Sequence, residues 1–518
     1  MAVELAAVRL LSPWFGTSLV VWTNVLEVIL LGLAIGYMLG ARLSKGDSSG
    51  GTLALVLLFG AVVAGWTPLI AAPVCEWFLP RGLALHDAAQ LLTWGSLAAG
   101  LVLFLPAAIV LGTVGPLLVE EIGRSGEVHA GTAGGRVLAA STLGSVLGAF
   151  GTSYYALSHP ALGVARSFIL VALLLLLCSI WTHVQVRRRR AGLVSALGVF
   201  LVAPAALFSE LRLPVLSEGV VQLGKVESLY QTVRAVEDTR FETIYRYLQV
   251  NEGFDSYQSV WAAEIGLLGE GFYYDDFVLP LWWTPDAAEW QVLVLGFGAG
   301  TVHRVMSGAK PVGVELSMTG VELDDDVIAL GREWFDLPGD SQGLTIHGGL
   351  DARFALNRLE GPYDQIVLDA YANQVEIPPH LSTLEFFSLV REKLTSGGWA
   401  IANVGGFGFD DPVVRAIAET LAVAFENEVL VLRVPGARNF TLITRRDAEV
   451  PHPERESWAV NEEARLTMGR LLDARELPGG VQLVSPPAQA PLTDDRNAIE
   501  TLQLRSLREG RGRLHAGI

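Results

Sequence analysis

Long apolar runs dominate the chain up to about residue 210, after which they shorten to strand length and polar positions fill the gaps. The long runs cover 19–41, 51–72, 88–119, 135–158, 164–183 and 191–209. Each can cross about 30 Å of hydrocarbon as a helix. This predicts a multi-spanning α-helical membrane domain over 1–210. Pro106, Gly112, Gly115 and Pro116 predict a kink in the third run. Gly32, Gly36 and Gly40 share one helical face, as do Gly144 and Gly148, a spacing that lets helix backbones approach closely. Met1–Leu11 is apolar but too short to span. It lacks the basic leader and cleavage site of a signal peptide, and a start upstream of Met1 is allowed for. Glu27 lies inside a span, where a charge is costly. Internal pairing is the expected reason for it, with a substrate-access role as the alternative, and a Glu4–Arg9 contact would satisfy those two residues in the same way.

The second half reads as an α/β domain. Residues 226–236 and 244–250 alternate polar and apolar positions, predicting a small β region over 211–289. Short apolar runs follow at 291–295, 319–323, 343–347, 365–369, 399–404, 427–433 and 440–444. Helical patterns such as 326–335 and 383–394 separate them, which implies a mostly parallel sheet. Only Pro435–Asn439 joins the last two runs, so the final strand is expected to be antiparallel. The expectation is a Rossmann-like, methyltransferase-like sheet of seven strands over 290–447. A C-terminal extension over 448–518, rich in Pro and charge, is expected to be irregular with one short helix.

Composition sharpens this picture. A hydrophobic fraction of 51% with 18% charged residues and a mean hydropathy of +0.41 are too apolar for an ordinary soluble protein. The net charge of −17 argues against nucleic acid as a partner and is compatible with a cationic substrate. Cys75 and Cys178 sit in apolar surroundings, so neither a disulfide framework nor a metal site is expected. Arg187–Arg190, and Arg42 with Lys45, mark the cytoplasmic side. If 191–209 crosses, the C-terminal domain then emerges on the other side, where a cytosolic nucleoside is absent. Cofactor supply favours a cytoplasmic domain on the inner cell membrane.

The candidate chemistry lies at strand ends. Gln291–Gly300 closes a buried strand in a turn with glycines at Gly296, Gly298 and Gly300, and Glu322 follows 22 residues beyond Gly300. Such a turn lets backbone pass beneath a ligand, and the acidic residue can accept ribose hydroxyls. Asp351 follows the third strand, where it can meet an adenine amino group, and Asp369 ends the fourth, where it can serve as a general base or a helix cap. Aspartates 324–326 are expected to cap the helix that starts there.

Val-Leu-Gly-Phe-Gly-Ala-Gly, Gly-Val-Glu-Leu-Asp, Asp-Ala-Arg and Ile-Val-Leu-Asp-Ala resemble the polyamine aminopropyltransferases (spermidine synthases) over about residues 220–445. Glu227–Gln231 is similar to their Glu-Ser-x-Tyr-Gln segment, and Pro378–Phe386 to a Pro-x-His-Leu-x-Thr-x-Glu-Phe segment. Trp14–Thr17 through Gly36-Tyr37 resembles the membrane-bound spermidine synthase-like proteins. The resemblance implies transfer of an aminopropyl group from decarboxylated S-adenosylmethionine to a diamine such as putrescine, with no prosthetic group. It implies Gln231 and Gly296–Gly300 on the donor, Glu322 on its ribose, Asp351 on its adenine and Asp369 as the catalytic group. Tyr230, Tyr274, Asp276 and Tyr371 are the residues expected around the amine, with Tyr273 and Tyr274 forming an aromatic wall.

Two positions depart from the family pattern, Ala299 and Ala372, where the soluble enzymes carry aspartates. Glu376, Glu385, Asp275 and Asp276 are the candidate replacements, and His380 and Glu385 are expected to be structural or gating residues. The expected partners are a small cationic amine and the lipid bilayer, with a homodimer allowed. Two alternatives remain: an S-adenosylmethionine-dependent transferase acting on a lipid or membrane acceptor, and a polyamine transporter or sensor with a non-catalytic nucleoside-binding domain.

Overall fold

A computed structural model describes the chain except 17–18, 46–48, 80–84, 125–128, 158, 160–161, 187, 209–212, 214, 242, 251–256, 270, 285, 342, 372–376, 452–461, 474–479, 488–489 and 516–518. Ala372, Glu376 and Arg187 lie outside the described residues. The described residues form two compact units, Met1–Val215 with Glu227–Thr232, and Leu216–Val226 with Val233–Val250 and the remainder of the chain.

The first unit is helical: α1 (Ala2–Phe15), α2 (Leu19–Leu43), α3 (Ser49–Phe78), α4 (Leu85–Leu103), α5 (Leu105–Arg124), α6 (Ala130–Gly151), α7 (Gly163–Val186) and α8 (Arg188–Phe208). Among the described residues five helices are long and apolar enough to cross a membrane, within α2, α3, α5, α6 with its π-helical extension, and α7. The run at 88–119 is helical on both sides of a single turn residue, with the Phe104 N–H donating to the Gly100 carbonyl at 2.8 Å and the Ala108 N–H to the Phe104 carbonyl at 2.9 Å. Phe104 divides it into α4 and α5, and Pro106 sits in the first turn of α5, where its missing N–H costs nothing. The described apolar part of α8, Ala196–Phe208, is shorter than the spans.

Close packing explains the first glycine stripe. A Cβ on Gly36 would lie 2.3 Å from the Ile109 carbonyl oxygen and 2.8 Å from Gly112 Cα, so the α2 and α5 backbones meet there. At the second stripe Gly144 meets nothing within 4 Å and Gly148 only Ala2 of α1, at 3.7 Å, so among the described residues no comparably close approach is made there. Glu27 is exposed on α2 and makes no hydrogen bond or ion pair among the described residues, contrary to the expected internal pairing. Arg9 donates to the Ser228 carbonyl, and Glu4 lies 3.7 Å from the terminal amine.

The second unit holds two sheets. The smaller has the order β1 (Val220–Glu227), β2 (Thr232–Asp238), β3 (Tyr245–Val250), β4 (Ser259–Ala262). The alternation over 226–236 is not one strand. It is the two arms of a hairpin reversing at 228–231, where Ser228 Oγ accepts from the Tyr230 and Gln231 N–H groups at 3.1 Å each.

The larger sheet contains β5 (Glu289–Leu295), β6 (Glu315–Val321), β7 (Leu344–His347), β8 (Tyr363–Leu368), β9 (Leu394–Gly405), β10 (Val429–Arg433), β11 (Asn439–Arg445) and β12 (Val481–Val484). Their order is β12-β10-β11-β9-β8-β5-β6-β7. β5 to β9 pair in parallel, while β11 inserts between β9 and β10 and runs antiparallel to both. This is the expected methyltransferase-like arrangement. The eighth strand comes from the C-terminal extension, which also forms helices Glu462–Asp473 and Ile499–His515 and is therefore more ordered than its composition implied.

Both faces of this sheet are covered, which is why its strands read as continuous apolar runs. Val292, Val294, Val367 and Ile401 enter one core with Val302 and Met306 of helix Thr301–Ala309. Their neighbours Leu293, Leu295, Ile366 and Ala400 enter the other with Phe386 of helix Leu384–Glu392 and Ile417 of helix Pro412–Phe425. The period of two along each strand assigns alternate residues to opposite faces.

Candidate active site

The strand order turns around between β5 and its two parallel neighbours, β6 on one side and β8 on the other. Open α/β sheets bind ligands in the crevice beyond such carboxyl ends. Gly296, Glu322 and Asp369 each follow directly on one of these three strands, so the topology gathers residues spread over 74 positions into one crevice.

The glycine turn is tied down by Gly296 and Phe297, whose N–H groups donate to the Val321 carbonyl at 3.0 and 2.9 Å. Gly296 has φ +89°, which only glycine adopts easily. A Cβ there would lie 2.3 Å from the Asp369 carbonyl oxygen, so the turn closes directly against the end of β8. Glu322 sits beneath it, Oε2 accepting from Gly298 N–H at 2.8 Å and Oε1 from Asp324 N–H at 3.1 Å. Desolvation outweighs these bonds and pushes the Glu322 carboxyl up to about 7.

Ala299 is buried against Val233, Leu330 and Phe335, and its N–H donates to Ser259 Oγ at 2.8 Å. An aspartate carboxylate at this place would enter an apolar cluster. Asp351 caps helix Ala352–Arg358, accepting from Phe354 N–H at 2.9 Å, while its other oxygen meets His380 Nε2 at 2.8 Å. Burial raises its carboxyl, but the Phe354 N–H and His380 outweigh that and hold it below the usual range. His380 and Glu385 make structural contacts in the described residues, Glu385 accepting from Asp494 N–H at 2.9 Å. Asp324 caps helix Asp325–Trp334 through Asp326 N–H at 3.1 Å.

Asp369 has the most developed surroundings. Asn403 Nδ2 donates to its Oδ1 at 2.8 Å and the Tyr273 hydroxyl to its Oδ2 at 3.1 Å. Asn439 Nδ2 in turn donates to Asn403 Oδ1 at 2.8 Å, fixing which way that amide faces. Surface area leaves Asp369 partly accessible, yet enough protein surrounds it that desolvation drives its carboxyl up to about 7, against the pull of Asn403 and Tyr273. A carboxyl held near neutrality suits proton transfer at physiological pH.

Beyond Tyr273 and Asn403 opens a cavity of about 240 Å³, lined also by Tyr257, Gln258, Tyr371, Arg438 and Asn439. Tyr371, expected near the amine, does line it. Tyr274 and Asp276 do not: the Tyr274 hydroxyl donates to the Gln258 carbonyl at 3.0 Å, and Asp276 accepts from Thr441 Oγ1 at 2.7 Å in the core. They share a 3₁₀ turn, Tyr273–Val278, which rotates successive side chains by about 120°, so of two adjacent tyrosines one reaches Asp369 and the other turns inward. Asp275 accepts from the Leu268 and Gly269 N–H groups at 2.8 Å and is spent on that loop. Tyr230 and Gln231 belong to the 228–231 turn, which falls in the first unit. Asn403, Asn439 and Arg438 escaped the sequence reading, although an asparagine inside the apolar run 399–404 was a usable signal.

No family model matches the chain. Among curated proteins it is 30% identical over 290 residues to a probable polyamine aminopropyl transferase of Bifidobacterium longum (strain NCC 2705), covering 51% of this chain and 62% of that protein. It is 35% identical over 116 residues to a polyamine aminopropyltransferase of Vibrio vulnificus (strain CMCP6), covering 22% of this chain and 37% of that protein. The chain thus spans less than two thirds of the length of these relatives. A solved structure of a probable spermidine synthase from Corynebacterium glutamicum ATCC 13032 aligns at 24% identity and a TM-score of 0.39, over 51% of this chain and 90% of that one. The fold assignment rests on the strand order rather than on that superposition.

Proposed function

We propose that the chain is an aminopropyltransferase resembling spermidine synthase. It moves an aminopropyl group from decarboxylated S-adenosylmethionine to a small primary amine, putrescine being the acceptor that the sequence resemblance implies. The observation that carries this reading is Asp369, standing between the glycine turn above Glu322 and the cavity lined by Tyr273 and Asn403. The likeness to the Bifidobacterium protein supports it. In this reading Glu322 accepts the ribose hydroxyls and Asp351 faces the adenine. Asp369 takes a proton from the ammonium so that its lone pair can attack the carbon next to sulfur. The sulfonium is already a good leaving group, so alignment and a neutral nucleophile are the main contributions asked of the protein. The apolar helices would hold the chain in the inner cell membrane with this unit on the cytoplasmic side, where the donor is made.

Intact S-adenosylmethionine as donor is a second reading, favoured by Ala299, because no carboxylate stands there for the aminopropyl ammonium. One experiment addresses both. The full chain, purified in detergent, is offered each donor separately with putrescine or another primary amine, and methylthioadenosine and S-adenosylhomocysteine are followed by mass spectrometry. Methylthioadenosine from the decarboxylated donor, lost in Asp369→Asn, is the expected result. S-adenosylhomocysteine from the intact donor would replace the first reading by the second.

A further inference from the structure

The Asp351–His380 pair has more built around it than a helix cap needs. Asp351 Oδ1 is taken by the Phe354 N–H that it caps, and Oδ2 faces His380 Nε2 at 2.8 Å. The carboxyl is held below its usual range, so at neutral pH it is ionised and can only accept. The nitrogen facing it therefore carries the proton, and a neutral imidazole is left with Nδ1 as an acceptor. His380 Nδ1 makes no hydrogen bond among the described residues, and both side chains stay exposed, His380 at 46% and Asp351 at 39%.

The pair stands beside the carboxylate proposed for the ribose. Leu350 N–H donates to the Glu322 carbonyl at 3.3 Å, which brings the residue before Asp351 against the backbone of Glu322. Leu323, which follows Glu322, is 41% exposed and offers an apolar surface there.

The fold holds His380 from two directions. From the start of helix Ala352–Arg358, Arg353 Nη1 donates to the His380 carbonyl at 3.1 Å, while Asp351 at the cap of the same helix holds the ring. From the C-terminal extension, Asp494 accepts from Arg353 through both oxygens, at 2.7 and 2.6 Å. Asn497 Nδ2 donates to the Pro379 carbonyl at 2.7 Å and to Ser382 Oγ at 3.1 Å, and so spans the 3₁₀ turn Pro379–Leu381 that carries His380.

One carboxylate oxygen and one imidazole nitrogen side by side match a group with two N–H bonds on one atom, the exocyclic amine of adenine. A 6-oxo purine presents an oxygen at that place and would face two acceptors with no proton to give. We propose that His380 is a specificity-determining residue that reads the adenine amine together with Asp351, and that Asp494 and Asn497 are positioning residues acting through it. This inference rests on the proposed placement of adenine at Asp351 and gives the C-terminal extension a part in the choice of donor.

The test uses full-length protein in detergent and two probes that differ at the 6-position of the purine, methylthioadenosine and methylthioinosine, with dissociation constants from isothermal titration calorimetry. Wild type is expected to bind methylthioadenosine about a hundredfold more tightly, about tenfold for each acceptor that meets oxygen in place of N–H. His380→Ala should lower this ratio about tenfold. His380→Gln keeps a donor for Asp351 and an acceptor for the base, and should hold the ratio near that of wild type. His380→Arg brings donors to the purine oxygen and should bind methylthioinosine more tightly than wild type does, a gain that a misfolded variant cannot show. The double variant Asp494→Ala, Asn497→Ala should lower the ratio toward the His380→Ala value and change it no further when His380→Ala is already present.

A ratio that His380→Ala leaves unchanged, or equal binding of the two probes by wild type, overturns the inference. An effect of the double variant that persists beside His380→Ala detaches Asp494 and Asn497 from His380. Binding of neither probe by wild type overturns the inference together with the placement of the donor at Glu322 and Asp351. Release of methylthioadenosine from decarboxylated S-adenosylmethionine tests the transfer reading separately, so each can fail without the other.

Discussion

Replacing Asp369 by asparagine keeps the shape of the side chain and removes its charge, and stability and turnover should respond in opposite directions. The Asp369 carboxyl is driven from 3.8 to about 7 by desolvation, against donation from Asn403 and Tyr273 and with a smaller push from Glu322. A carboxyl whose folded value lies above its unfolded one holds its proton more tightly in the folded state. Its stabilisation is therefore full below about pH 4 and is lost as pH rises through about 7. Complete ionisation corresponds to roughly 4 kcal/mol, and solvent reaching Asp369 through the cavity reduces this to roughly 2 kcal/mol.

Asparagine cannot ionise, and its carbonyl oxygen still accepts from Asn403. Thermal unfolding of ligand-free full-length protein in detergent should therefore show wild type losing about 2 kcal/mol relative to the variant between about pH 3 and pH 8, most of it above pH 4. Glu322 titrates in both proteins, so only its smaller coupling to Asp369 enters the difference. Turnover should fall about 10²- to 10⁴-fold, the usual worth of a positioned general base. A stability difference independent of pH, or a variant retaining more than about a tenth of wild-type turnover, would refute the reasoning.

Three further outcomes follow from the same geometry. Tyr273→Phe removes a hydroxyl that donates to Asp369, so the acid limb of the kcat/KM–pH profile should move up by about one pH unit, and an unmoved profile would detach Tyr273 from the base. Glu322→Gln should weaken donor binding about tenfold, measured by isothermal titration calorimetry, and should stabilise the ligand-free protein at pH 8, because the Glu322 carboxyl is also pushed up to about 7. Gly296→Ala would place a Cβ 2.3 Å from the Asp369 carbonyl oxygen at φ +89°. It should cost at least about 2 kcal/mol in the same unfolding assay and abolish donor binding, and a stable, binding variant would show that the turn is not held against β8.

Much of this protein was determined by its sequence alone. The change from long apolar runs to short ones around residue 210 separates two kinds of structure, because burying a helix on all sides and burying a strand on both faces need different lengths of apolar chain. All seven expected strands of the large sheet are present. So is the antiparallel insertion of β11, since five connecting residues cannot make a parallel crossover. The glycine turn, Glu322 and Asp369 were legible for the same reason: backbone freedom and an acidic residue at a strand end are local signals.

What required tertiary structure was non-local. The turn at Phe104 and the hairpin at 228–231 interrupt runs whose hydrophobic pattern continues through them. The eighth strand comes from a segment whose composition says only that it is polar, and its pairing partner β10 lies about 50 residues away. Which of two adjacent tyrosines reaches Asp369 depended on the rotation of one 3₁₀ turn. Asn403 and Asn439 became part of the site only when β9 and β11 paired. Arg438 came to the cavity through the connection that follows β10. Sequence specifies what each segment prefers, but side chains 34 or 36 residues apart acquire chemistry only when strand pairing holds them within hydrogen-bonding distance.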